Sequence, residues 1–236
     1  MVDSAALLKT KLQAVESADS AQAMLDAVEA LADLKDEGAI DMLIRVLGYN
    51  NPGAAVAAVE GLIQIGTPAA TALLGQIDGY NYGARAWALR VLSGIGDPRG
   101  LELILETAAE DFSLSVRRAA ARGLGAIQWE KLEKAQRRDA QAQASTTLLK
   151  VAAEDVEWVV RYAAIAGLQG VAIAAETEGH GDLVGPITKG LRDRVETDEV
   201  PAVRARAQWA IAQLSNIQLP NIQRPNTQLS NKTHGA

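Results

Sequence analysis

The sequence predicts an all-α fold, an α-solenoid of about six helix pairs over residues 1–216 followed by a low-complexity polar tail over residues 217–236. Three recurring features predict it: an apolar anchor, an arginine seven residues before four of the anchors, and a glycine–cap–proline junction between units. Repetition at about 20–50 residues is typical of helix pairs that stack on their neighbours. The anchors are Leu31/Leu34, Leu62/Ile65, Leu92/Ile95, Leu124/Ile127, Leu168/Val171 and Ile211/Leu214.

The junctions mark where one helix ends and the next begins. In Ile65-Gly66-Thr67-Pro68 and Ile95-Gly96-Asp97-Pro98, a glycine ends one helix, a threonine or aspartate caps the next, and a proline occupies its first turn. The fourth unit therefore predicts helices over about 98–109 and 115–127. Its cap, Asp97, is predicted to be engaged by the backbone and not to serve as a general acid.

The second helix of each unit has one apolar face. With the recurring arginine numbered zero, positions −1, +3, +7 and +10 are apolar in units three to six and predict the buried stripe. Positions +1 and +5 point to the opposite side. If the second helices line the concave surface, that groove combines cations with aromatic rings. The residues concerned are Ala86/Arg90, Arg118/Arg122, Tyr162/Ala166 and Ala205/Trp209.

This pattern resembles the HEAT-repeat family over about residues 20–216. In HEAT repeats an aspartate and an arginine commonly form a ladder between neighbouring units, and the resemblance assigns that structural role to three pairs. The pairs are Asp111/Arg117, Asp155/Arg161 and Asp198/Arg204. In unit three Gly79 stands in the aspartate position, so Arg85 is expected to be the arginine least committed to structure.

Two segments and the tail interrupt the repeat. Residues 129–143 are predicted to form a lengthened, solvated helix, and residues 176–182 a loop that exposes His180. Prolines exclude a helix from the polar repeat of the tail.

Composition excludes several chemistries. The chain has no cysteine, so it forms no thiolate nucleophile or thiolate metal site, and it has only two histidines, which leaves no basis for a metal centre or a histidine-dependent triad. The net charge of −6 opposes general nucleic-acid binding. No apolar run of about 18 residues or secretion signal is evident, which predicts a soluble, cytoplasmic protein without membrane insertion.

The richest candidate segment is Tyr80-Asn81-Tyr82-Gly83-Ala84-Arg85-Ala86-Trp87-Ala88-Leu89-Arg90. It holds two of the four tyrosines and one of the four tryptophans in a chain with a single phenylalanine. Arginine pairs with carboxylates and stacks on π-systems, and tyrosine and tryptophan supply flat area. The segment therefore favours a flat, anionic ligand, although packing alone would also account for Trp87.

The same segment, with Gly-Ile-Gly-Asp-Pro-Arg-Gly-Leu at 94–101 and Asp-Phe-Ser-Leu-Ser-Val-Arg-Arg-Ala-Ala-Ala-Arg-Gly-Leu-Gly at 111–125, resembles the F-type subunits of the HEAT-repeat phycobilin lyases, specifically of the phycocyanin α-subunit phycocyanobilin lyase. The resemblance implies a heterodimer with an E-type subunit that binds phycocyanobilin as substrate, with no tightly required cofactor. It also implies thioether attachment to a cysteine of the apo-phycocyanin α-subunit. The lack of cysteine disfavours the related lyase-isomerases.

On this basis the predicted bilin-binding residues fall into two groups, and no catalytic residue is assigned. Arg85, Arg90, Arg118 and Arg122 are the candidates for the propionates. The candidates for flanking the tetrapyrrole are Tyr80, Tyr82, Trp87, Trp129 and Trp158.

Three alternatives stay open at this stage. The same fold could detach or transfer bilins during phycobilisome turnover, which no sequence pattern separates from attachment. It could also be a scaffold that binds a protein partner in its groove. Nucleic-acid binding is the least favoured of the three because the chain is acidic.

Overall fold

The computed structural model describes residues 4–76 and 82–218. Within these residues the fold is all-α, as the periodicity predicts. The helices are α1 Ser4–Glu16, α2 Ala21–Ala32, α3 Ile40–Val46, α4 Pro52–Ile65, α5 Thr67–Leu74, α6 Tyr82–Ile95, α7 Leu101–Glu110, α8 Leu114–Leu124, α9 Lys134–Glu154, α10 Trp158–Thr177, α11 Val184–Thr197 and α12 Pro201–Gln218. Short 3-10 turns precede α3, α7, α9 and α11.

Consecutive helices pack in six pairs, α1/α2 to α11/α12, and the pairs stack into two layers. The even-numbered helices contact one another directly from α2 to α12, whereas the odd-numbered helices touch less extensively. Because the more closely spaced layer lies on the inside of a curved stack, we call the solvent-facing side of the even-numbered layer the inner face. The six predicted helix pairs are confirmed.

The predicted apolar stripe forms the core. Leu62, Leu92, Leu124 and Leu168 are at most 1% exposed, and burying each such side chain stabilises the fold by about 1.5–3 kcal/mol. Both junction glycines adopt positive φ values, 79° at Gly66 and 66° at Gly96, which glycine tolerates without strain. Asp97 caps the next turn as predicted, but the prediction for Thr67 was wrong, because Thr67 is the first residue of α5 and Gly66 holds the cap position.

The even-numbered helices approach each other through glycines. A Cβ atom on Gly125 would lie 2.7 Å from the Cα atom of Gly167, and a Cβ on Gly170 would collide with the carbonyl oxygen of Gly125. Helices α8 and α10 therefore pack backbone to backbone, which draws their exposed side chains together on the inner face.

The segment predicted as a solvated helix is only partly solvated. Its first turn in α9 is exposed, but Gln141 is fully buried and Trp129 is 2% exposed. The prediction was also wrong for His180, which is partly buried because its Nδ1 lies 2.7 Å from the Gln141 Oε1 atom. The 176–182 loop packs on α9, an interaction between distant segments that the polar composition did not reveal.

Helix α10 is the most apolar long helix of the described residues, with a mean hydropathy of 1.4 over 18 residues. By length and composition alone it could cross a membrane. It lies instead between α8 and α12 in the stack and against α9, and 61% of that window is buried in the protein. These contacts fit the core helix of a soluble domain.

Candidate functional site: the inner face of the solenoid

One set of arginines forms ion pairs within the protein and has a structural role. Arg117 Nε donates to Asp155 Oδ2 at 2.7 Å, and Arg161 Nε donates to Asp198 Oδ2 at 2.8 Å, each with a second bond from Nη2 to the other oxygen. Each arginine thus pairs with the aspartate of the following unit. We call this row of pairs the ladder.

Within a unit, the same arginine also binds the loop between its two helices. Arg117 Nη1 donates to the Asp111 carbonyl oxygen and Arg161 Nη1 to the Asp155 carbonyl oxygen, both at 2.9 Å. The aspartates accept backbone N–H groups two residues on, as Asp198 does from Val200. Burial opposes ionisation of Asp198, yet hydrogen bonds from Arg161 and Val200 outweigh it and hold its pKa below the usual range.

Arg85, expected to be the arginine least committed to structure, also belongs to the ladder, and it is held more weakly than Arg117 and Arg161. Its Nη2 lies 3.5 Å from Asp111 Oδ2, with the Arg85 side chain 28% exposed and that of Asp111 6% exposed. The partner comes from the following unit, so Gly79 has no bearing on Arg85. The aspartate is dispensable in unit three because unit two carries Ala55 in the arginine position.

A second set of arginines faces solvent on the inner face. Arg90 on α6 and Arg118 and Arg122 on α8 are exposed, at the positions predicted to point away from the core. Across residues 4–76 and 82–218, none of the three contacts a carboxylate within ion-pair distance. These cations are available to an anionic ligand.

Trp87 and Arg90 form a stacked pair on α6. The Arg90 Cζ atom lies 4.6 Å from the centroid of the Trp87 ring, and the ring also packs partly on the core. Trp87 lines a cavity of about 290 Å³ with the loop that joins α3 and α4, including the exposed Tyr49. Trp87 therefore packs on the core with one part of its side chain and lines a cavity with another, so both interpretations of this residue apply in part.

A further cluster of aromatic and cationic residues lies on α10 and α12. Tyr162, Arg206 and Trp209 line an open cavity of about 460 Å³ together with Ala202 and Ala205. Sequence reasoning placed both rings on the inner face but missed Arg206. Arg206 lies two residues after the recurring arginine Arg204, as Trp87 lies two residues after Arg85, and this shared position could have identified Arg206 as a candidate.

The remaining predicted residues are dispersed. Trp129 is buried in the core with no hydrogen-bond partner for its Nε1, so its indole cannot touch a ligand on the inner face. Trp158 is 44% exposed at the start of α10, near the exposed Val156 of the intra-unit loop. Tyr80 lies outside the described residues, and for Tyr82 only its place at the start of α6 is described.

The described residues offer little acid–base or metal chemistry. Asp97 is 3% exposed, and hydrogen bonds from the Arg99 side chain and backbone hold its pKa below the usual range, which confirms the cap and removes a candidate acid. No group of three or more His, Asp or Glu residues within these ranges could hold a metal ion. The inner face therefore presents binding groups, mainly guanidinium groups and aromatic rings.

The fold and this face define a HEAT-repeat protein with a cationic, aromatic inner surface, and the model for "HEAT repeats" matches residues 73–169. The chain is 51% identical over 199 residues to a "Phycobilisome maturation protein" of Synechococcus elongatus, covering 84% of this chain and 94% of that protein. It is 50% identical over 200 residues to "Phycocyanin alpha phycocyanobilin lyase CpcF" of Synechocystis sp., covering 85% and 91%. At this similarity the chain belongs to the family of phycocyanobilin lyase beta subunits.

A solved structure of the complex of CpcE and CpcF of phycocyanin lyase from Nostoc sp. matches with a TM-score of 0.68 at 48% identity. The match covers 74% of this chain and 99% of the matched chain. The family resemblance that the residues at 80–125 indicated is thereby confirmed.

Proposed function

We propose that this chain is the F-type subunit of a heterodimeric phycocyanobilin lyase. With an E-type subunit it binds phycocyanobilin and attaches it to a cysteine of the apo-phycocyanin α-subunit. The observation that carries the proposal is the row of arginines on the inner face that have no carboxylate partner, in a chain whose relatives are named as lyases of this kind.

The reaction is an addition and needs no redox partner. The sulfur of the acceptor cysteine forms a bond to the exocyclic ethylidene carbon of the bilin, the double bond is consumed, and the proton of the thiol ends on the adjacent ring carbon. No group leaves. A chain without cysteine suits this role, because the only sulfur required belongs to the acceptor.

The contribution of this subunit is to bind and orient the bilin. Arg90, Arg118 and Arg122 pair with the propionates, because a guanidinium group binds a carboxylate through two parallel hydrogen bonds. Trp87 lies against the tetrapyrrole, and Tyr80 and Tyr82 precede it in the same segment. Fixing the conformation and the reactive face of the bilin converts the attack of the thiol into an oriented encounter, which lowers the entropic part of the barrier.

This set does not include Arg85, which forms an ion pair with Asp111, or Trp129, which is buried in the core. Trp158 is the first residue of α10, beside the loop between α9 and α10, where a bilin on the inner face would meet it only at one end.

The test is coexpression of this chain with its E-type partner, the apo-α-subunit and an enzymatic source of phycocyanobilin. Arg118→Gln with Arg122→Gln is expected to lower the yield of covalently bound bilin at least about tenfold, because two charge-assisted contacts are lost. Arg192→Gln is the matched control: it removes an exposed arginine of α11 in the other layer. If the double variant gave the wild-type yield, the two arginines of the inner face would have no part in bilin binding.

A second arm fixes the direction of the reaction. The purified pair is incubated with chromophore-bearing phycocyanin, and bound absorbance is followed. Unchanged absorbance is expected. Loss of the bound absorbance, combined with no attachment in the coexpression experiment, would indicate that the protein detaches bilins. A colourless pair that neither attaches nor detaches bilin would indicate a scaffold.

A further inference from the structure

Arg206 is the most unusual cation of the described residues. Its Cζ atom lies 4.6 Å from the centroid of the Trp209 ring and 5.9 Å from that of Tyr162, so the guanidinium stands between two aromatic side chains. Nη2 donates to Gln169 Oε1 at 2.8 Å. Nη1 is buried with no hydrogen-bond partner, and no carboxylate of residues 4–76 or 82–218 forms an ion pair with this arginine.

The electrostatics of this position lack a negative charge. Burial lowers the pKa of Arg206, and the positive charge of Arg122 lowers it further, with only Tyr162 acting in the opposite sense. An arginine stays protonated in spite of such a shift. Because no carboxylate of the described residues pairs with Arg206 and its Nη1 has no hydrogen-bond partner, its charge is uncompensated, and a partly buried cation without a counter-ion is unfavourable.

The site is open to a ligand. Tyr162 is 40% exposed and Trp209 is 52% exposed, and both border the cavity of about 460 Å³. A carboxylate that enters this cavity would meet a guanidinium group whose Nη1 has no hydrogen-bond partner in the described residues. The cavity is of a size that binds small organic molecules, and its other walls are the small side chains of Ala202 and Ala205.

We propose that Arg206, Tyr162 and Trp209 form a carboxylate-binding subsite that takes one propionate of the linear tetrapyrrole, with the two rings against the pyrrole that carries it. This inference rests on the proposed function, and it extends the proposed bilin site along the inner face to α10 and α12. Arg122 on α8 adds positive charge to the same part of the inner face, which suits a ligand that carries two carboxylates. Gln169 acts as a positioning residue, because its Oε1 fixes one edge of the guanidinium.

The first test compares phycocyanobilin with its dimethyl ester, which keeps the tetrapyrrole but has no carboxylate. The purified pair of this chain and its E-type partner is titrated with each, and binding is followed by absorbance. Arg206→Gln is expected to weaken binding of the free acid about tenfold to hundredfold and to leave that of the ester unchanged. Arg192→Gln should alter neither. An equal loss for acid and ester, or no loss for the acid, would overturn the assignment.

The second variant keeps the charge of Arg206 and removes the aromatic ring that packs over it. Trp209→Leu removes an exposed ring, so folding is not at risk, and circular dichroism verifies this for all variants. It is expected to weaken acid and ester alike by about fivefold to tenfold, in the range of one aromatic stacking contact. Unchanged affinity for both ligands would show that the ring does not touch the bilin.

Two further outcomes separate this inference from the proposed function. If the wild-type pair attaches bilin and Arg206→Gln attaches it with wild-type yield and affinity, the subsite is refuted and the lyase function stands. If the wild-type pair neither binds nor attaches bilin, the proposed function itself fails. Weaker copurification of the E-type subunit or apo-α-subunit with Arg206→Gln, at unchanged bilin affinity, would assign the carboxylate to a protein partner and refute the bilin subsite.

Discussion

Two rows of arginines run along the even-numbered helices, and they differ in what surrounds them. In the ladder, Arg117 and Arg161 are close to buried and hold aspartates of the next unit through two hydrogen bonds each. On the inner face, Arg118 and Arg122 are exposed and have no carboxylate partner in the described ranges. Arg117 and Arg118 are adjacent in sequence, so a rotation of about 100° around the same helix separates a structural from a binding role.

The comparison shows that residue type does not assign function in a repeat protein. Both rows consist of guanidinium groups on the even-numbered helices, but only the ladder arginines recur from unit three to unit six, whereas the exposed ones are confined to Arg90, Arg118 and Arg122. What distinguishes them is whether the stack supplies the counter-ion. A ladder arginine is neutralised by the fold, whereas an inner-face arginine leaves a positive charge for a ligand.

The largest expected effect is on the buried end of the ladder. Asp198→Asn keeps the acceptor for the Val200 N–H group but removes the charge that Arg161 requires, which should cost about 3 kcal/mol and lower Tm by about 6–12 °C. Thermal unfolding followed by circular dichroism measures it. Asp182→Asn, which breaks an exposed pair with Arg138, is the control and should leave Tm unchanged. Equal Tm values for both variants would contradict a structural role for the ladder.

The same pair predicts a pH dependence. The folded-state pKa of Asp198 is lowered, so its contribution to stability is complete above the unfolded pKa of about 3.9 and is lost as the pH falls through the folded value. The difference in Tm between the wild type and Asp198→Asn should therefore be constant from about pH 7 to pH 5 and shrink below about pH 4. A difference that grows in acid would contradict this linkage.

A smaller effect is expected at the first pair of the ladder. Asp111→Asn retains the bond from the Ser113 N–H group and removes a single ion contact of 3.5 Å to Arg85, whose side chain is 28% exposed. The expected cost is about 1 kcal/mol, a third of that at Asp198. Urea unfolding of the two variants side by side measures the ratio. A larger loss for Asp111→Asn would mean that Arg85 is as deeply committed as Arg161.

The smallest effect on stability is expected on the inner face. Arg118→Gln with Arg122→Gln should change the free energy of unfolding by less than about 0.5 kcal/mol, because neither side chain has an ion pair to lose. Any change should be stabilising at low salt, where repulsion between Arg122 and Arg206 is least screened, and should vanish at high salt. A clear loss of stability would place these arginines with the ladder.

Most of the fold could be predicted because its information is local. The apolar stripe, the anchors such as Leu124, and the junction glycines follow from helical periodicity and backbone geometry, and the structure confirms them. The inner-face position of Arg118 and Arg122 follows from the same periodicity. The outcome differed for His180 and Trp129, whose burial depends on how an insertion packs against a distant loop and the core.

The ladder marks the boundary between the two kinds of information. The sequence spacing correctly places an aspartate six residues before an arginine, but it does not show that each carboxylate serves the arginine of the preceding unit. For that reason Gly79, in the aspartate position of unit three, says nothing about the partner of Arg85, which is Asp111. Arg206 was missed for the related reason that the lack of a counter-ion is a property of its neighbours in space, on α8 and α10.

By itself the sequence determined a stack of paired helices, its buried stripe, the face on which arginines and aromatic rings stand, and a resemblance that the relatives confirm. The tertiary structure alone decided which of those arginines are already neutralised and which lack an anion. The physical reason is that helical periodicity is set by bonds within a few residues, whereas an ion pair forms between groups that are close in space and 26–38 residues apart in the chain, as Arg85–Asp111 and Arg117–Asp155 are.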